Sequence, residues 1–392
     1  MNRRETVSRL ALLAAGFAVG FAAAEGIARL FDPGFQVVFR ESIAFSDDPV
    51  LVYELRPGAR DGQNRISSAG LRDDEMPLAK PAGSYRNAAI GDSLTYGSGG
   101  PRENSYPEQL ERLLQARATG THFEVLNLGV PGYNIEQVVQ RFRVRALPFQ
   151  PDVILYGYVL NDPQAFSIEA EALRTLRDEM ERGAETDTRS ALGRWLVHSR
   201  LYQLARQGSL RRSSLAALRA QMPNDPAYEA ARSDDRTRYF RAIHAQGEGR
   251  ARLERGLDAL ASLVHARGLP VLVAIFPLFG RDGAASPDAL ADVHGVVAEA
   301  ATRRGFAVVD LLPVYSAATR AFKTDMNVDF MHPDALGNRV AATAILDWLC
   351  ASKWLPTASL DCNAASPANV QDAEIARVVA DALAQAGPTD AR

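Results

Sequence analysis

From residue 85 onward, short unbroken apolar runs alternate with stretches whose leucines, valines and alanines recur at helical spacing. Five runs, at 86–90, 123–127, 152–158, 270–276 and 306–310, are rich in Val, Ile or Leu, the pattern of strands buried on both faces. Between them, "SYPEQLERLLQARA" puts Leu110, Leu113 and Leu114 on one helical face, behind Ser105 as a candidate N-cap and Pro107 in the first turn. "NIEQVVQRFRVRAL" follows the second run, "RARLERGLDALASLVHARG" precedes the fourth and ends at Gly268, and helical spacing returns at 340–349. Strands alternating with helices predict an α/β domain with a parallel, doubly wound five-stranded sheet and ligands at its carboxyl edge.

The rhythm breaks in three other parts of the chain. Residues 31–84 are rich in Pro, Gly and Asp, with short strand-like pieces "FQVVF" and "LVYEL", and read as an extended lead-in without a core of its own. Residues 163–247 carry charged helical stretches and no strand signal, which predicts a helical insertion near the carboxyl edge of the sheet. Beyond 355 an Ala- and Asp-rich tail holds an amphipathic helix at 371–386. The expected catalytic domain is therefore 85–355, with a tail at 356–392.

At the start of the chain, Arg3, Arg4 and Arg9 precede an uncharged apolar run over 10–24. That arrangement predicts a signal peptide, cut after Ala22-Ala23-Ala24, or a membrane anchor helix running on to about residue 30. Both put the body of the protein outside the cytoplasm, in the periplasm or beyond. Composition adds little. The chain of 392 residues is 47% hydrophobic and 23% charged, with a formal net charge of −3, so no overall basicity argues for a nucleic-acid partner. Cys350 and Cys362 are too few for a disulfide framework and suit a single bridge in an oxidising compartment. The segment 189–224 has seven arginines and no Asp or Glu, interleaved with Trp195, Leu196, Leu201, Tyr202 and Leu204. It reads as a solvated helical face, or as a surface for anionic lipid or acidic glycan.

Chemistry concentrates at the predicted strand ends. "AAIGDSLTYG" takes a strand into a turn that exposes Ser93 ahead of the free N–H groups of a following helix, a setting for a nucleophile and an oxyanion. Gly, Asp and Ser are also ordinary turn formers. A dinucleotide fingerprint does not fit, because Arg102 stands where its third glycine belongs. "MNVDFMHPDALGN" sets Asp329 three residues before His332, close enough for a carboxylate to orient an imidazole base. "VLNLGVPGYN" offers Gly129 and Gly132 for close backbone approach, and "ILYGYVLNDP" offers the amide of Asn161 as a donor. No second histidine lies near His332 and neither cysteine has ligand spacing, so no metal or other cofactor is expected.

The blocks "GDSLTYG", "NLGVPGYN", "YGYVLND" and "DFMHPDALGN" together resemble the four signature blocks of the SGNH, or GDSL, hydrolase family, in the family's order and over roughly residues 65–350. The resemblance implies a three-layer α/β/α, flavodoxin-like fold. It implies Ser93 as nucleophile and first oxyanion donor, Gly132 as backbone donor ahead of Gly129, Asn161 as side-chain donor, and Asp329 with His332 completing a triad. One position departs from the family pattern. Val159 stands where a glycine is usual, two residues before Asn161, which predicts a longer or differently bent loop there. The expected protein is an exported serine ester hydrolase acting through an acyl-serine on an acyl or acetyl ester of a saccharide or lipid. The same site would make an O-acetyltransferase of envelope polysaccharide if a sugar hydroxyl accepted the acyl group. Without activity the fold would be a binding module.

Overall fold

A computed structural model describes residues 3–30, 42–62, 64–165, 199–202, 205, 236–279, 290–352, 354–356, 359–362 and 370–386. Five parallel strands form the central sheet: β1 (Ser84–Gly91), β2 (His122–Asn127), β3 (Val153–Tyr158), β4 (Val271–Ile275) and β5 (Ala307–Asp310). Their order across the sheet is β2-β1-β3-β4-β5, the flavodoxin-like order, which reverses direction beside β1 and opens a crevice at the carboxyl ends of β1 and β3. Each predicted apolar run is a strand, within two residues at either end. Strand β3 is buried along its whole length, as a central strand covered on both faces must be.

Helices cover both faces. One layer holds Tyr106–Arg117, Leu312–Phe322, Ala335–Ala351 and Val370–Ala386; the other holds Ile135–Arg141, Arg236–Ala245, Gly247–His265 and Ala291–Thr302. The result is a three-layer α/β/α domain. Leu110, Leu113 and Leu114 are buried against the sheet as their spacing predicts. Ser105 does stand at the N-cap position, but its hydroxyl donates back to the Arg102 carbonyl at 2.8 Å instead of capping the helix. Asn134 caps the next helix in a reciprocal capping box with Gln137.

Residues 42–75 form two short antiparallel ribbons, Ile43–Phe45 with Tyr53–Leu55 and Arg60–Asp61 with Asn64–Arg65. Leu51, Tyr53, Leu55, Ile66 and Leu71 from this segment are all buried. The strand-like "FQVVF" lies outside the described residues. Cys350 and Cys362 form a disulfide that fastens the tail to the end of the helix Ala335–Ala351.

The chain divides into two compact units, one of residues 1–40 with 168–221 and one holding the rest. In the first unit a continuous helix, Arg3–Leu30, contains the 25-residue span Glu5–Arg29, whose 18-residue apolar stretch has mean hydropathy 1.9, long and apolar enough to cross a membrane. Within that unit the Glu25 carboxylate accepts hydrogen bonds from Ser199 Oγ (2.9 Å), the Arg200 N–H (2.6 Å) and the Leu201 N–H (3.1 Å). Most of the expected helical insertion, including Arg206, Arg211 and Arg212 of the basic stretch, lies outside the described residues.

Candidate active site

Strand β1 ends at Gly91, and Asp92 then caps a four-residue helix, Ser93–Tyr96, by accepting from the Leu94 N–H at 2.9 Å. Ser93 is therefore the first helical residue at the carboxyl edge of the sheet. From the far end of the chain, the loop between Leu312–Phe322 and Ala335–Ala351 brings in Asp329 and His332. A bridge between Asn327 and Pro333 pinches this loop, and Asp334 caps the helix after it through the Gly337 N–H at 2.9 Å. The pinch fixes His332 just ahead of the helix start.

These three residues meet. His332 Nε2 is 2.8 Å from Ser93 Oγ, and His332 Nδ1 is 2.7 Å from Asp329 Oδ2. The carboxylate can only accept, so Nδ1 carries the ring proton and Nε2 is left to accept from the serine hydroxyl. The other carboxylate oxygen, Asp329 Oδ1, accepts the N–H groups of Met331 (2.8 Å) and His332 (2.9 Å). Burial works against the Asp329 charge, but the His332 bond and those two N–H bonds prevail and hold its pKa down to about 2. For His332, burial disfavours the imidazolium, yet the Asp329 bond and the charges of Asp329 and Asp92 raise its pKa above 6.5. The Asp329 side chain remains 47% exposed and that of His332 20%, so this is a site at the surface rather than in a deep shaft.

Three candidate donors come from the strand-end blocks. Among the described residues no acceptor takes the N–H of Ser93 or of Gly132. Gly132 sits in a turn with φ of +81°, a left-handed conformation that suits glycine. The N–H of Gly129 is instead donated to Asn127 Oδ1 at 3.1 Å, and a Cβ at Gly129 would lie 2.1 Å from the Tyr96 nitrogen. Gly129 is thus a packing glycine whose N–H is already engaged, whereas the Gly132 N–H has no acceptor among the described residues.

Asn161 follows β3 and is nearly buried; its Nδ2 donates to Asp92 Oδ2 at 3.1 Å, which leaves the second amide hydrogen for a ligand. The Asp162 N–H closes a turn onto the Val159 carbonyl at 2.9 Å, and Tyr156 donates its hydroxyl to the buried Asp162 carboxylate at 2.7 Å. Asp92 itself is fully buried, and burial raises its pKa despite the bonds from Leu94 and Asn161.

Sequence reading did not single out Asp92 as the partner of Asn161, nor Tyr53 and Arg72, which contact the loops of the site from the lead-in. Asp92 stands inside the "GDSLTYG" block, but the block does not reveal its contact with Asn161; no motif marks Tyr53 and Arg72, whose partners are backbone carbonyls distant in sequence. Among the described residues no group of three or more His, Cys, Asp or Glu side chains could hold a metal ion.

A flavodoxin-like sheet with hydroxyl, imidazole and carboxylate in line at its carboxyl edge is the layout of a serine-type hydrolase. The chain belongs to the GDSL-like lipase/acylhydrolase family, whose model matches residues 89–340, and is an ester-bond hydrolase. No curated protein matches it by sequence. Among solved structures it is similar to an acetyl xylan esterase (14% identity, covering 68% of this chain and 100% of that one, TM-score 0.40). It is also similar to an α/β hydrolase from the metagenome of Lake Arreo, Spain (18%, 67% and 93%, TM-score 0.36). A third is a two-domain esterase active on acetylated mannans (14%, 73% and 54%, TM-score 0.36).

Proposed function

We propose that the protein cleaves acyl or acetyl esters of a saccharide or lipid through a covalent acyl-serine on Ser93. The observation that carries this reading is the continuous chain of hydrogen bonds from Ser93 Oγ through His332 to Asp329, at 2.8 and 2.7 Å. His332 Nε2 takes the Ser93 proton as Oγ attacks the ester carbonyl, and Asp329 stabilises the imidazolium that forms. The carbonyl oxygen becomes an oxyanion facing the N–H groups of Ser93 and Gly132 and the amide of Asn161. As the intermediate collapses, the C–O bond to the alcohol breaks and the imidazolium protonates the leaving alcohol. Water, deprotonated by His332, then attacks the acyl-serine, releasing the acid and restoring the serine hydroxyl.

We further propose that the enzyme works outside the cytoplasm, held to a membrane by the helix Arg3–Leu30. Two observations support this: the Cys350–Cys362 disulfide suits an oxidising compartment, and Glu25, at the first position after the candidate cleavage site, accepts three hydrogen bonds that a retained helix would keep. The test of the enzymatic reading is a panel of short- and long-acyl esters, with and without an oligosaccharide acceptor. Free acid as product in both conditions is the expected result. Acyl transfer to the sugar in preference to water would make the protein an acyltransferase instead.

A further inference from the structure

The family match begins at residue 89, yet the loops bearing the two backbone donors are gripped from upstream of that point. Tyr53 is wholly buried and donates its hydroxyl to the Pro131 carbonyl at 2.6 Å. Pro131 C=O and Gly132 N–H belong to one peptide unit. That unit is planar and, as no cis bond occurs among the described residues, trans, so its carbonyl and N–H point in opposite directions. Holding the carbonyl therefore aims the N–H. The same bond polarises the peptide and strengthens Gly132 as a donor. The Tyr53 ring is itself locked edge-on against Tyr133 at 5.2 Å between centroids, and the Tyr133 hydroxyl donates to the Tyr53 carbonyl.

Arg72 does the corresponding work at the serine. A four-residue helix is too short to persist without outside support, and its last carbonyls have no partner within it. Arg72, 2% exposed, donates through Nη1 to the carbonyls of Tyr96 (2.6 Å) and Gly97 (2.8 Å) and through Nη2 to that of Gly100 (2.6 Å). Its guanidinium lies 4.5 Å from the centre of the Tyr96 ring. Gly97 ends the helix at φ of +83°, and a Cβ there would sit 2.9 Å from Arg72 Nη1. The neighbouring Asp73 accepts the Asn127 N–H at 2.9 Å, and Asn127 in turn holds Gly129.

We propose that residues 42–75 form a positioning element of the active site, in which Tyr53 aims the Gly132 N–H and Arg72 fixes the helix that presents the Ser93 N–H to the developing oxyanion. The inference rests on the acyl-serine reading above. Neither residue touches the reacting atoms; both act through backbone donors.

The test is Tyr53→Phe, which removes one hydroxyl and keeps the ring that packs on Tyr133. It is assayed beside wild type and Ser93→Ala, on an oxoester and on the matching thionoester. Sulfur accepts hydrogen bonds weakly, so thionoester turnover depends less on the donors of an oxyanion hole. Removing a whole oxyanion donor costs about 100- to 1,000-fold in kcat; loss of aim alone should cost about 10-fold on the oxoester. KM should stay within about twofold, and the thionoester should suffer less, because the defect is confined to the transition state. The pH at which activity rises should not move, since His332 is untouched. Unchanged kcat on the oxoester, or equal losses on both substrates, would overturn the positioning role. Turnover surviving in Ser93→Ala would instead overturn the acyl-serine reading on which it depends.

Discussion

The Ser93 hydroxyl lies 2.8 Å from Nε2 of His332, although 239 positions separate the two residues in the chain. Strand β1 delivers one and the pinched loop before Ala335–Ala351 delivers the other, so neither is positioned by its own neighbours alone. Replacing either by alanine is expected to reduce ester turnover by about three orders of magnitude or more. Asp329→Ala should cost less, because an unoriented imidazole still accepts a proton. Steady-state kinetics on a chromogenic acetyl ester checks all three.

The raised pKa of His332 sets the pH dependence. Below that pKa both ring nitrogens carry protons and the imidazole cannot accept from Ser93, so kcat/KM should rise with pH through a midpoint above 6.5. The bond and charge of Asp329 are the main causes of the upward shift. Asp329→Asn should therefore move the midpoint down while lowering the plateau. A pH–rate profile whose midpoint is the same in both proteins would contradict this assignment.

Asp92 and Asn161 offer a separate handle. The Asp92 carboxylate can only accept, which turns Nδ2 of Asn161 toward it, while Asn161 Oδ1 is buried without a partner. In Asp92→Asn a donor can face Asn161, so its amide can reverse and turn the second hydrogen away from the oxyanion. We expect kcat to fall by about 10- to 100-fold with little change in KM, and Asn161→Ala to fall by about 100- to 1,000-fold. A rise in KM at constant kcat in Asn161→Ala would make it a substrate contact instead.

The disulfide should matter for stability and not for chemistry. Cys350 and Cys362 are 12 residues apart, and opening a loop of that size costs about 3 kcal/mol. The bridge is at the far end of the 17-residue helix that follows His332, roughly 25 Å from the imidazole at 1.5 Å per residue. Replacing both cysteines by serine should lower the thermal midpoint by several degrees and leave kcat near wild type at 25 °C. Differential scanning fluorimetry alongside the ester assay separates the two effects.

A retained helix predicts membrane fractionation that salt does not reverse. Burial of the apolar span Glu5–Arg29 is insensitive to ionic strength, whereas attachment through arginines alone weakens as the Debye length shrinks to about 3 Å at 1 M salt. The full chain should stay with membranes through a high-salt wash, and a variant lacking residues 1–30 should not. A mature protein beginning at Glu25 and released by salt would contradict the anchor.

Much of this architecture was legible in the sequence, for identifiable reasons. The five strands are sandwiched between helix layers, and such burial demands uninterrupted apolar runs like "DVILYGY". Ser93 and Asn161 lie in compact blocks at strand ends, and Asp329 with His332 in one block between two helices rather than at the strand end expected, all where turn residues and chemistry coincide. The helices Leu312–Phe322 and Ala291–Thr302 were harder to see, because each has a leucine at its N-cap position, a residue with no oxygen to cap the helix and mark its start. The lead-in was least legible. Tyr53 and Arg72 matter through backbone carbonyls at Pro131, Tyr96, Gly97 and Gly100, and a carbonyl leaves no trace in residue identity.

The central claim is that an acyl group passes through Ser93. The most direct measurement is the mass of the protein quenched in acid during turnover of an activated ester, followed by peptide mapping. The account predicts a single added acyl group on the peptide carrying Ser93, increased in Asn161→Ala if deacylation slows more than acylation, and absent in Ser93→Ala. An unmodified Ser93 peptide during burst turnover, or an acyl group found on another residue and retained in Ser93→Ala, would contradict it.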